Sequence, residues 1–132
     1  MRKVFVDTSA WYGYVRKDDP DHATAKRLLK AWGSRLVTTN FVWDETVTLT
    51  RARLGHAMAV QVGDTLRNPA VVELMRVTSE DEENAWGLFV RYKDQDFSFT
   101  DCTSFAIMRR LSLETAITTD HHFLQAGFEI AD

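Results

Sequence analysis

The sequence has a single cysteine, Cys102, so no disulfide can form within the chain. Its stability has to come from packing, and a lone thiol suits a reducing compartment. Only two prolines occur, Pro20 and Pro69, both in polar, turn-like stretches. The segments between them are free to run as regular helix or strand. No apolar run approaches the roughly 18 residues that a bilayer span requires. The stretch MRKVFVDTSAW meets a carboxylate at Asp7, too early for the apolar core of a secretory leader. Internal repeats, low-complexity tracts and linker-like runs are missing, as is the basic tail or stripe that marks many nucleic-acid binders. These absences argue against membrane proteins and disulfide-stapled secreted domains, and lead us to expect a cytoplasmic protein.

The 132 residues suffice for one core and are too few for two, so one domain over 1–132 is expected. The net charge of −3, from 19 acids against 16 bases, at first speaks against a polyanionic partner. Setting aside four acids for one metal site leaves 15 acids against 16 bases, a net of +1. A bound cation would also invert the sign of the site itself. The total therefore neither excludes nor suggests RNA.

Short β-rich runs alternate with longer helical ones. Residues 4–7 (VFVD), 35–38 (RLVT), 71–77, 115–118 (TAIT) and 128–130 read as strands. Residues 21–32 read as an amphipathic helix, with Ala25, Leu28, Leu29 and Trp32 at helical spacing. Further helices are expected over 40–54, stopped by Gly55, and over 56–67, weakened by Gly63. Ser79 with Glu82, and Ser98 with Asp101, have capping-box spacing and open helices to about residues 93 and 111. A short helical turn is expected over 121–126. Such alternation predicts an α/β domain with a mainly parallel sheet of four or five strands and helices on both faces, a three-layer α/β/α arrangement.

In such sheets the functional crevice lies beyond the carboxyl ends of the strands. Asp7 ends the first predicted strand, and Asp120 ends the run TAITT. Asp101 opens the helix that feeds the strand before Asp120, and Glu45 lies in the first turns of the helix after the second strand. The topology gathers all four at one edge. Close carboxylates raise one another's pKa, and a hard divalent cation resolves the conflict, with magnesium or manganese suited to oxygen donors. Taken singly, each acid has a plainer use. Asp7 suits a helix N-cap, Glu45 a solvated helix face, Asp101 the reciprocal partner of Ser98, and Asp120 a turn. Those uses do not explain why all four converge.

The segments VFVDTSAW, NFVWDETVTL, FSFTDCTSFAIMRRL and TTDHHFLQAGF resemble the successive motifs of PIN domains, especially the VapC-like toxins of bacterial and archaeal toxin–antitoxin pairs. The resemblance runs from about Val4 to Phe128. It implies a sheet flanked by helices and a magnesium- or manganese-dependent endoribonuclease. It implies catalytic and metal-holding acids at Asp7, Glu45, Asp101 and Asp120, a homodimer, and an antitoxin whose C-terminal segment brings a basic side chain to the acids. One departure stands out. Many members carry a further acid just after the position of Asp120, where this chain has His121 and His122. Asp96 is a weaker candidate.

Around the acids, Thr8, Ser9 and Thr100 are placed to orient a carboxylate or a bound water, with helix capping as the alternative. His121 and His122 lack further Cys or His partners at zinc-ligand spacing, and Cys102 lacks a recognisable base, so a core thiol is expected. Trp11, Tyr12, Tyr14, Trp43 and Val47 are many large side chains for two early helices, and serve either the core or a partner surface. Arg51, Arg53, Arg109 and Arg110 are candidate phosphate contacts, with solvated helix faces as the default. Other functions are weighed against RNA hydrolysis. A receiver-like signalling module needs a lysine at the end of a late strand, where TAITTD offers an acid. An inactive nucleic-acid-binding domain would keep clustered acids that only repel RNA. A housekeeping RNA-processing nuclease shares the chemistry of a toxin and differs only in role.

Overall fold

The computed structural model describes residues 2–132. Strand β1 (Val4–Val6) is buried along its whole length and leads into helix α1 (Thr8–Val15). Helix α2 (His22–Trp32) and a single 3-10 turn precede β2 (Leu36–Thr39). The hairpin α3 (Asn40–Leu54) and α4 (His56–Leu66) leads to β3 (Glu73–Met75), and α5 (Ser79–Arg91) and α6 (Phe99–Arg110) lead to β4 (Thr115–Ile117). A short α7 (His122–Gln125) and β5 (Glu129–Ile130) end the fold.

The five strands form one sheet in the order β3-β2-β1-β4-β5, with every pairing parallel. Right-handed crossovers therefore put α1–α4 over one face and α5–α7 over the other. The chain moves outward from β1 to β3, then returns to place β4 on the other side of β1. That reversal opens a crevice beyond the carboxyl ends of β1 and β4, where ligands of such sheets bind. The core runs through both faces, from Val4, Phe5 and Val6 in the sheet to Trp11, Val42, Phe105, Ile107 and Phe123 on the helices.

Several boundaries differ from the sequence reading for local reasons. The edge strand β3 is shorter than 71–77, because Val71 and Val72 donate to the Asn68 carbonyl in a turn rather than to a neighbouring strand. Helix α5 is capped one residue earlier than expected. Thr78 and Asp81 make the reciprocal pair, at 3.1 and 3.0 Å, because Asp81 turns inward to the Arg110 guanidinium. Gly63 stands within α4 for a packing reason. Its missing side chain lets Trp43 approach, so that the indole donates to the Gly63 carbonyl at 3.0 Å, while a Cβ would sit 3.3 Å from Val47. Trp11 and Tyr12 are core residues, 4% and 5% exposed, which removes them from any partner surface. Tyr14 is exposed and stacks on His22.

Candidate metal centre

Asp7 directly follows β1, with extended backbone at the N-cap of α1, yet its side chain caps nothing. The carboxylate turns toward β4 instead, and Oδ2 accepts from Thr118 at 3.0 Å and from Ser9 at 3.3 Å. Strand register explains this. Val6 pairs with Ile117, so the next residues out, Asp7 and Thr118, come side by side. Ser9 also accepts from the Thr119 backbone at 3.0 Å, and Thr118 from that of Asp120 at 2.9 Å, which ties the two strand ends together. Burial, helped by the charges of Asp101 and Glu45, pushes the Asp7 carboxyl up to about 7 against the hydrogen bonds from the Thr8 backbone and the Thr118 hydroxyl.

Asp101 caps its own helix. One oxygen accepts from the Ser98 backbone at 3.0 Å, completing the capping box of α6. Even so, burial and the nearby Asp120 hold its pKa above the usual carboxylate range. Asp120 lies three residues beyond β4. Its Oδ1 accepts from the His122 backbone at 2.9 Å and so starts α7. Glu45 is half-buried on α3, whose start is fixed by Thr39 accepting from the Val42 backbone at 3.1 Å. Its charge reaches Asp7. One ligand atom each from Asp101, Asp120 and His122 lies within 4.8 Å of the others. Asp7 and Glu45 stand outside this tightest set, and Asp7 is linked to it through the charge of Asp101.

Among the described residues, no lysine or arginine pairs with Asp7, Glu45, Asp101 or Asp120. Acids held together without a lysine or arginine partner, one of them with its pKa near neutrality, fit a divalent cation with oxygen donors. Of the flanking hydroxyls, Ser9 joins the network. Thr8 is buried without a hydrogen-bond partner, and Thr100 is bonded only through its carbonyl, to Thr103. Asp96 is exposed, with no hydrogen bond or ion pair among the described residues.

Two residues of the site escaped the sequence reading. Thr118 is visible only once the register of β1 on β4 is known. His122 looked unpartnered for zinc, although it stands where the chain departs from the family pattern after Asp120; its Nδ1 lies 2.9 Å from Asp120 and 3.6 Å from Asp101. Other candidates take structural roles. Cys102 is fully buried, and desolvation, with Asp101 nearby, pushes its thiol up to about 11, far from a thiolate nucleophile. Arg110 grips buried Asp81 at 2.8 and 2.9 Å, Arg109 reaches the Ala126 carbonyl at 3.4 Å, and Arg53 lies 5.5 Å over the Tyr12 ring. Arg109 and Arg110 also sit at the end of α6 away from Asp101, so they are not phosphate contacts at this site. A cavity of about 480 Å³ lies at the opposite sheet edge among Arg2, Lys3, Glu73 and Glu114, remote from the acids.

A parallel α/β/α domain with acids gathered at its switch point is the architecture of PIN domains, and the PIN domain pattern matches residues 4–129. The chain belongs to this family and, within it, to the VapC-like toxin ribonucleases. It is 41% identical to the 23S rRNA-specific endonuclease VapC20 of Mycobacterium tuberculosis over 128 residues, covering 95% of each chain. It is 26% identical to ribonuclease VapC26 of the same organism, over 93% of this chain and 90% of that one. The crystal structure of VapC20, a sarcin–ricin loop cleaving toxin, superposes with a TM-score of 0.91 at 39% identity, covering 96% of both chains. The DNA-bound VapBC of Salmonella typhimurium, with a TM-score of 0.73 at 15% identity over 100% of this chain and 98% of that one, shares the fold. No described helix is long and apolar enough to cross a membrane.

Proposed function

We propose that the chain is a magnesium- or manganese-dependent endoribonuclease, acting in the cytoplasm as the toxin of a toxin–antitoxin pair, with residues 1–132 forming one nuclease domain. The observation that carries this reading is the buried Asp7 carboxylate, held near neutral pKa with no basic partner among the described residues. Its neighbours by charge are Asp101 and Glu45.

Asp7, Glu45, Asp101 and Asp120 are the residues assigned to hold the cation. With a divalent cation held by these residues, the site would gain charge to stabilise the phosphate and acidity to activate a water. Thr118 and Ser9 fix the Asp7 carboxylate so that its free oxygen points consistently. The capping box does the same for Asp101 by occupying only one of its oxygens. The substrate class follows from the relative that is specific for 23S rRNA, and a structured ribosomal RNA loop is the substrate we assign.

The reading of the partner is narrower than the sequence suggested. With Trp11 and Tyr12 in the core, the apolar seat for an antitoxin segment is the groove of about 380 Å³ between α3 and α4, lined by Trp43, Val47, Arg51, Val60 and Arg67. The exposed α5 residues Trp86, Phe89 and Val90 suit a homodimer contact. The test is to express the chain alone and with its genomic neighbour, and to assay ribosomal RNA cleavage with and without EDTA. Growth arrest by the chain alone, rescue by the neighbour through a stable complex, and cleavage restored by magnesium or manganese are expected. Cleavage that resists EDTA overturns the metal assignment. A harmless chain that still cleaves RNA makes it a housekeeping nuclease.

A further inference from the structure

His122 is the one nitrogen donor in the tightest cluster of ligand atoms, together with Asp101 and Asp120. Its Nδ1 is shielded from solvent. Although it lies 2.9 Å from Asp120 Oδ1, no hydrogen bond is aligned on it. That Asp120 oxygen accepts from the His122 backbone at 2.9 Å and keeps a second lone pair. A buried polar atom without a partner costs free energy. If Nδ1 carries its lone pair, that pair faces carboxylate oxygens and is repelled. A cation between them turns the repulsion into coordination.

The spacing suits such a role. Donors on adjacent corners of an octahedron with bonds of about 2.1 Å stand about 3 Å apart. Nδ1 lies 2.9 Å from Asp120 Oδ1 and 3.6 Å from Asp101 Oδ2, oxygens that each accept one backbone N–H and keep a lone pair for a cation. The ring is also held in place from behind. Its edge meets buried Phe97 at 5.5 Å and 86°, and Phe97 packs in turn on Phe105 at 5.1 Å. His121, its neighbour in sequence, is exposed instead.

Building on the metal centre proposed above, we infer that His122 is a donor to the cation through Nδ1, and that it biases the site toward manganese over magnesium. The chemistry is ligand preference. Magnesium favours oxygen donors and gains little from imidazole, whereas affinity for nitrogen donors rises along the first transition series, which begins here with manganese.

The full-length chain is titrated with Mn2+ alone, and bound Mn2+ is examined by pulsed electron paramagnetic resonance for coupling to a nitrogen-14 nucleus. Wild type and His121→Gln are expected to show the coupling, and His122→Gln to lose it. Competition with Mg2+ then gives the ratio of the two affinities. His122→Asp, which restores an oxygen donor, should lower the preference for manganese about tenfold. Bound Mn2+ with no nitrogen coupling in wild type overturns the inference and leaves the carboxylate site standing. Coupling that survives in His122→Gln overturns it equally. No Mn2+ binding at all overturns both this inference and the reading it rests on. The wild-type spectrum needs no substitution, so a variant that folds poorly cannot mask the answer.

Discussion

Replacing Asp7 with asparagine separates its role in holding a cation from its role in the fold. In the folded, metal-free chain the carboxyl keeps its proton up to about pH 7, whereas in an unfolded chain it ionises near pH 3.9. Below about pH 4 both states are protonated and the group does not weigh against the fold. As pH rises from about 4 to 7, the unfolded state releases its proton while the folded state retains it. Stability therefore falls over that window, and the loss is complete above it. A gap of about 3 pH units corresponds to a ceiling of about 4 kcal/mol. Relaxation around a newly formed charge reduces this, and about 2 kcal/mol is a reasonable working figure. The asparagine side chain cannot titrate, yet its amide oxygen still accepts from Thr118. In EDTA, D7N should melt about 5–10 °C above wild type at pH 7.5 and close to it at pH 4.5. Activity should drop at least about 100-fold, since losing even an outer partner of a metal ligand costs 10–100-fold. The assay is thermal melting across pH with chelator, paired with RNA cleavage. A melting difference that does not change with pH, or an asparagine variant that cleaves normally, would refute the reasoning.

Other perturbations test neighbouring parts of the structure. Magnesium or manganese should raise the melting temperature of the wild type by an amount equivalent to about 2.7 kcal/mol at 100 times Kd, and much less in a chain with Asp7, Glu45 and Asp101 all neutralised; an equal shift in both would place the ions elsewhere. Thr118→Val removes the hydroxyl that donates to Asp7 and should weaken Mn2+ binding about tenfold by calorimetry, with little change in fold. Arg110→Leu strands the buried Asp81 carboxylate, whose pKa the Arg110 hydrogen bonds hold below the usual range. Denaturant unfolding should show a loss of about 2–3 kcal/mol at pH 7. The loss should shrink as pH falls through the acidic range, and vanish only once pH drops through the depressed pKa of Asp81 in the wild type.

The alternation of short apolar runs with helical periods was enough to imply a parallel α/β sheet, because strand and helix spacing are local properties of the chain. The sheet edge on which to look for a site was legible too, since a parallel sheet sends every strand's carboxyl end the same way. Tertiary structure decided what the acids there experience. Register between β1 and β4 sets Thr118 beside Asp7, and register depends on pairings more than 100 residues apart in sequence. Burial between the two helical layers lifts the Asp7 pKa, and burial is a property of the assembled core. The phase of α7, held by Phe97 behind the ring, turns His122 toward the acids and leaves His121 in solvent. Adjacent identical residues look equivalent in a sequence; only packing distinguishes them. The same holds for the aromatic side chains of α1 and α3. Their number was evident, but which of them fill the core was settled by how closely the helices pack, with Trp11 donating to Thr38 at 3.3 Å beneath α1 and Trp43 lodged over Gly63.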